Sequence, residues 1–253
     1  MRGVVPAALA AMLGLGLAGQ AAAESHALPA HGWSFEGVFG SFDEAAMQRG
    51  FQVYKEVCAG CHGVEYIAFR NLQDIGFGLD DVKAIAAEYE VEDGPDDEGE
   101  MFTRPGIPAD RIPSPFANEQ AARAANNGAL PPDLSLITKA RKGGPDYLYA
   151  ILTGYDEPPG DVDLGEGMSY NPYFPGKQIA MPEPLFDDAV EYTDGTPATP
   201  EQMAEDVTHF LAWAAEPELE VRKRLGVKVM LFLIVLTALF YATKRKVWSK
   251  AEH

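Results

Sequence analysis

The chain has 253 residues, with 38 Asp+Glu against 20 Lys+Arg, a formal net charge of −18, and only two cysteines. That acidity excludes nucleic acid as a partner, because a phosphate backbone repels such a surface. The length allows one domain with a real core besides any targeting or membrane segments.

The N-terminus reads as a secretory signal over residues 1–23. Arg2 supplies the charged start, Val4 to Ala18 the apolar run, and Ala21-Ala22-Ala23 the small-residue cleavage site. The mature chain is then expected to begin at Glu24, in an oxidising compartment where thiols do not stay free. Residues 24–216 form the exported domain. Proline and glycine are frequent through residues 94–200 and long regular runs are few, so the expected class is mainly α and loop-rich.

The first expected helix opens at Ser41-Phe-Asp-Glu44, which has the form of a capping box, and Met47, Phe51 and Tyr54 recur at helical spacing after it. It leads into Val57-Cys-Ala-Gly-Cys-His-Gly63. Cys-x-x-Cys-His is the attachment signal for haem c. Two thiols one helical turn apart can each add to a vinyl group on one porphyrin edge, and the adjacent His62 is then held beneath the iron. A plain disulfide or a thioredoxin-like pair would not need His62, and no βαβ pattern surrounds these cysteines. A structural zinc needs four ligands, and Cys58, Cys61 and His62 supply three.

A carboxylate-rich run follows, Glu88-Tyr-Glu-Val-Glu-Asp-Gly-Pro-Asp-Asp-Glu-Gly-Glu100. It is either a solvated face or a surface that steers a basic soluble partner, an effect that salt would weaken. Candidates for a second iron ligand are His31, His209 and Met47, Met101, Met168, Met181, Met203 and Met230. Met47 and Met203 sit on expected helices whose apolar faces they fill, and Met230 lies in the last apolar run. Met181 is favoured, with Met101 and Met168 next, because Pro182 and Pro184 hold its segment extended and a loop ligand can reach a distal haem face. A His/Met pair leaves no open position, which makes the site an electron carrier.

The last helix of the domain is signalled by Thr199-Pro-Glu-Gln202, an N-cap with proline at the first helical position and a capping glutamine. Met203, Val207, Phe210, Leu211 and Ala214 form its apolar stripe. Residues 217–224 read as a basic juxtamembrane linker with Arg222-Lys223-Arg224, and residues 225–243 as a transmembrane helix. Nineteen positions span about 28 Å, close to a hydrocarbon core of roughly 30 Å. Lys228 can snorkel, and Tyr241 and Trp248 suit the far interface. The basic flanks at 222–224 and 244–246 are balanced, so the signal sets the expected orientation: the haem domain on the periplasmic side of the bacterial cytoplasmic membrane, and residues 244–253 in the cytoplasm. With Arg2 and the residues from 217 onward set aside, 11 basic side chains face 35 carboxylates.

Several stretches together resemble the cytochrome c1 family, the haem-bearing subunits of the cytochrome bc1 complex. They are Arg49 to Cys58, Asp93-Gly-Pro with Gly99-Glu-Met-Phe102, Ala121 to Ser135, Leu152 to Pro159, Tyr170 to Gly176, and Trp213-Ala-Ala-Glu-Pro217 leading into one anchor helix. The resemblance covers nearly all of the mature chain. It implies a class I cytochrome c-like domain with long insertions plus one C-terminal transmembrane helix, the first and last domain helices crossing near the haem. It implies one covalent haem c on Cys58 and Cys61, with His62 and Met181 as axial ligands. It implies that Arg141 meets a haem propionate and that Asn126, Pro131 and Tyr147 line the pocket. The implied electron donor is the Rieske iron–sulfur protein, the acceptor a soluble basic c-type cytochrome, and the membrane neighbours are cytochrome b and lipid, within a dimeric complex. Some bacterial members carry an extra cysteine pair between the positions of Tyr155 and Met181; this chain has none, so the proline-rich packing of residues 158–184 is expected to hold Met181. Two alternatives remain open: another membrane-anchored monohaem c-type carrier, and an exported thiol–disulfide oxidoreductase using Cys58 and Cys61.

Overall fold

A computed structural model describes residues 26–160 and 162–249. The expected signal at 1–23 and the end of the tail lie outside the described residues. The architecture is mainly helical and loop-rich. Helix α1 spans Glu44–Val53 and runs on into a π-helical turn, Tyr54–Cys58. A 3-10 helix at Phe69–Ile75 and α2, Leu79–Ala87, follow. Strands β1 (Glu90–Asp93) and β2 (Phe102–Pro105) pair antiparallel, with Glu90 opposite Pro105. Short helices α3 (Glu119–Ala125) and α4 (Ile137–Ala140) precede α5 (Gly144–Thr153). A two-residue pairing, β3 (Ser169–Tyr170) with β4 (Gln178–Ile179), comes before α6 (Pro200–Ala215) and α7 (Leu219–Trp248).

The start of α1 differs from the sequence expectation. Asp43, not Ser41, is the N-cap, its carboxylate accepting the Ala46 N–H. An anionic cap satisfies that amide and also faces the positive end of the helix dipole. Ser41 stays outside, its N–H donating to Ser34 O. At α6 Thr199 caps as expected, its hydroxyl accepting the Gln202 N–H. The Gln202 side chain does not turn back to the cap; it donates to Asp206 Oδ1.

The core is organised by the crossing of α1 and α6. Gly50 lets the two backbones meet: a Cβ there would lie 2.0 Å from Asp206 O and 2.9 Å from Phe210 Cβ. One step earlier, Arg49 grips Asp206 with two bonds, Nε to Oδ2 at 2.9 Å and Nη2 to Oδ1 at 2.8 Å. Asp206 is fully buried, so its charge depends on that fork. Phe51, Tyr54 and Trp213 close around Phe210 with ring centroids 5.5–5.8 Å away. Trp33 and Phe35 strap the outer face of α6 at Ala212, and the Trp33 indole N–H donates to Asp146 at 2.7 Å.

Helix α7 has 30 residues, about 45 Å. It begins at Leu219, so residues 219–224 are its first turns and not a separate linker. It is the one helix among the described residues long and apolar enough to cross a membrane, and its apolar window is wholly unburied by the domain.

Replacing Gly50 with Ala forces two backbones apart and is expected to cost about 2–3 kcal/mol, lowering Tm by roughly 5–10 °C in a thermal melt of the protein. The β1–β2 hairpin should be acid-sensitive. Arg104 sits between Asp93 and Asp110 and holds both carboxyls below their usual range. Groups depressed in the folded state stabilise it above their unfolded pKa, about 3.9, and that support is lost as pH falls through the lower folded values. Hydrogen-exchange protection of β1 and β2 is therefore expected to drop below about pH 4 while α6 remains protected, and Arg104→Gln should remove the difference.

Candidate functional site

The π-turn delivers the cysteines. Ala59 N–H donates to Tyr54 O, the wide i to i+5 bond. Cys58 O then accepts from both Cys61 N and His62 N, at 3.1 and 2.9 Å, which curls His62 back beneath the turn. Tyr54, buried in the α1–α6 core, donates its hydroxyl to His62 O at 3.1 Å. Both thiols are unpaired; Cys58 is half-buried and Cys61 exposed.

His62 is held from the other side as well. Its Nδ1 lies 2.7 Å from Pro132 O. A carbonyl only accepts, so Nδ1 carries the proton and Nε2 presents its lone pair. Burial lowers the imidazole's pKa below its usual value, which favours that neutral ring. The loop carrying Pro132 is stitched to the residues after His62. Leu134 N–H donates to Gly63 O at 2.8 Å, Glu65 N–H to Asp133 at 2.9 Å, and Tyr66 N–H to the Ser135 hydroxyl at 3.1 Å. Pro131 is half-buried at the head of this loop.

The methionines separate by environment. Met47 and Met203 are core, as expected. Met101 is exposed beside Gly94 at the end of the acidic hairpin, and Met230 is exposed on α7. Met181 is half-buried against the same apolar cluster that receives Val57, Cys58 and Ala59. His209 has both ring nitrogens engaged, by Ser34 Oγ and Glu205 O, and His31 packs against the rings of both Trp33 and Tyr149.

Two restraints on the Met181 segment escape a reading of the sequence. Tyr155 O–H donates to Met181 O at 3.1 Å. Fully buried Asn171 donates to Ile151 O at 2.8 Å and accepts the Tyr173 N–H, tying the 170–178 turn to α5. Both lie in stretches that carry the resemblance, Leu152 to Pro159 and Tyr170 to Gly176, but neither is charged or metal-binding, so the sequence assigned them no role.

Arg141 follows α4 and is exposed; among the described residues it has no carboxylate partner, donating only to Ala140 O. Half-buried Tyr147 feels its charge, although burial dominates and raises the phenol's pKa. Asn126 ends α3, its side chain donating to Ala122 O at 2.7 Å and its own carbonyl accepting the Ala129 N–H. It shapes the turn toward Pro131.

These groups fit a covalent haem c. Two unpaired thiols lie on one turn, an imidazole nitrogen is left free by the bond on its other side, a thioether sits on the adjoining apolar surface, and a guanidinium lacks an anion. They fit a thiol–disulfide centre poorly. Cys58 closes a helix, where the dipole opposes a thiolate, and burial pushes its pKa up to about 12.

Comparison with known proteins agrees. Residues 33–251 match the model of the cytochrome C1 family. The chain is 52% identical over 258 residues to cytochrome c1 of Rhodospirillum rubrum, covering 96% of this chain and 95% of that protein. It is 56% identical over 226 residues to the cytochrome b-c1 complex catalytic subunit of Candida albicans, covering 89% of this chain and 78% of that one. A Bradyrhizobium diazoefficiens protein named cytochrome b/c1 is 54% identical over 246 residues, 88% of this chain and 36% of its own length.

Proposed function

The chain belongs to the cytochrome c1 family, and on that footing we propose how its residues serve as the electron-transfer subunit of a cytochrome bc1 complex, ubiquinol–cytochrome c reductase. Cys58 and Cys61 would hold one haem c through thioether bonds, and His62 Nε2 and Met181 Sδ would ligate its iron. When bound, that group supplies a one-electron iron centre. The observation that carries the assignment is the His62–Pro132 bond, which fixes the tautomer and the ring before any ligand is taken.

This chain's own residues then do three things. The stitched 131–135 loop keeps His62 from rotating, so electron transfer need not wait for ligand motion. Tyr155, Asn171 and the prolines from 158 to 184 hold Met181, the work a cysteine pair does in some relatives. Arg141 offers its charge to a propionate, with Tyr147, Asn126 and Pro131 shaping the wall. Met181 and His62 together would favour the reduced iron and raise the potential.

The Rieske iron–sulfur protein is the donor and a soluble basic c-type cytochrome the acceptor. The exposed carboxylates at Glu92 and Asp96 to Glu100 support a basic acceptor. Cytochrome b and lipid flank α7, and the relative named cytochrome b/c1 supports the first of these. The signal-like N-terminus supports a periplasmic haem domain and a cytoplasmic C-terminus, and the family resemblance supports a dimeric complex.

Haem staining after denaturing electrophoresis is expected to mark a band at this chain's size. Met181→Leu should keep that covalent stain while the midpoint potential falls sharply; an unchanged potential would remove Met181 as ligand. Arg141→Gln should lower the potential more gently, because a nearby positive charge favours the reduced form. A loss of about 1 kcal/mol corresponds to roughly 40 mV for one electron, read by redox titration.

A further inference from the structure

Val38 and Phe39 are 62% and 87% exposed, at the tip of a tight loop in a strongly acidic domain. Single exposed apolar residues are ordinary. Here the position gives them meaning. The loop's neck is closed by Ser41 N–H to Ser34 O, and Gly37 takes φ +69°. Gly40 turns so closely that a Cβ would fall 1.9 Å from Glu36 O. The tip therefore stands away from the core.

The neck is bolted to the root of α7. Phe42 N–H donates to Glu220 Oε1 at 3.0 Å. Further along α7, Lys223 Nζ donates to Phe35 O and Gly40 O, at 2.6 and 3.0 Å. Moving from Phe42 back toward the tip, the partners on α7 thus advance toward the apolar span. Lys223 lies two residues, about 3 Å of rise, before that span opens at Leu225. Arg222 and Arg224 flank it, placing three cations at headgroup level. Beside the tip, Glu36 is the one carboxylate within residues 36–40.

We infer that the Glu36–Gly40 loop is a second membrane contact, its Val38 and Phe39 side chains entering the boundary between lipid headgroups and acyl chains beside α7. The argument for lipid over protein is continuity: the tip extends the apolar surface of a helix that itself crosses the bilayer. The depth expected of such a contact is about 5–10 Å. This rests on the membrane crossing of α7, and the test reports on that separately.

The test uses the complete haem-loaded complex in phosphatidylcholine vesicles, carrying a nitroxide on Phe39→Cys, Glu98→Cys or Leu231→Cys in turn. Position 98 calibrates water and position 231 the hydrocarbon. Collision rates are measured with oxygen, which concentrates in lipid, and with a water-soluble nickel chelate. The expected oxygen-to-nickel ratio at position 39 falls between those at 98 and 231, several-fold above the first. A ratio at 39 equal to that at 98 overturns the inference. So does a label at 39 that is immobilised and shielded from both agents, which would identify a protein neighbour instead. A label at 231 open to nickel would overturn the crossing itself, and the loop contact with it.

Discussion

Everything in the domain is referred to the point where α1 and α6 touch. Gly50 removes the side chain that would hold the backbones apart, and the Arg49–Asp206 fork fixes their rotation about the contact. Because α1 runs without a break into the π-turn at Tyr54–Cys58, this crossing also decides where both thiols and His62 lie. A buried carboxylate is a costly way to fix an angle, since breaking such a pair costs about 3–5 kcal/mol. It also makes the angle hard to change, because no alternative partner within the helix pair can take the charge.

The chemistry of the site was legible where it is local. Cys58, Cys61 and His62 are adjacent in sequence, and their spacing carries a geometric meaning that needs no tertiary information. The caps of α6 at Thr199 and Pro200 were legible for the same reason. What the sequence hid depends on distant segments. Pro132 orients His62 across a separation of 70 residues, through a carbonyl that every residue type possesses. Tyr155 and Asn171 support the Met181 segment through hydrogen bonds that no motif announces. The α1 cap shifted from Ser41 to Asp43 because two residues on either side of Phe42 could each serve, and only packing chooses between them. The basic stretch before the span read as a linker from its charge, yet its spacing of Leu219, Glu220 and Lys223 is what docks it.

That docking has consequences for how electrons can reach the site. Glu216 joins three elements, accepting from Lys139 at the end of α4 and from Arg222 on α7. Lys139 stands two residues before Arg141, the candidate propionate partner. Glu220 and Lys223 bind the N-terminal loop, whose Trp33 and Phe35 pack on α6. The membrane helix is thus joined, through side chains, to α6, to α4 just before Arg141, and to the N-terminal loop. Individually these surface-facing ion pairs contribute little. Together with the hydrogen bonds of Glu220 and Lys223, they tie one helix root to α4, α6 and the N-terminal loop and remove the rotations that a flexible linker would allow. A haem site held this way would keep a fixed placement relative to α7. Reaching that site would then depend on the motion of the proposed partners, and the exposed carboxylates of the 90–105 hairpin would suit the basic acceptor proposed above.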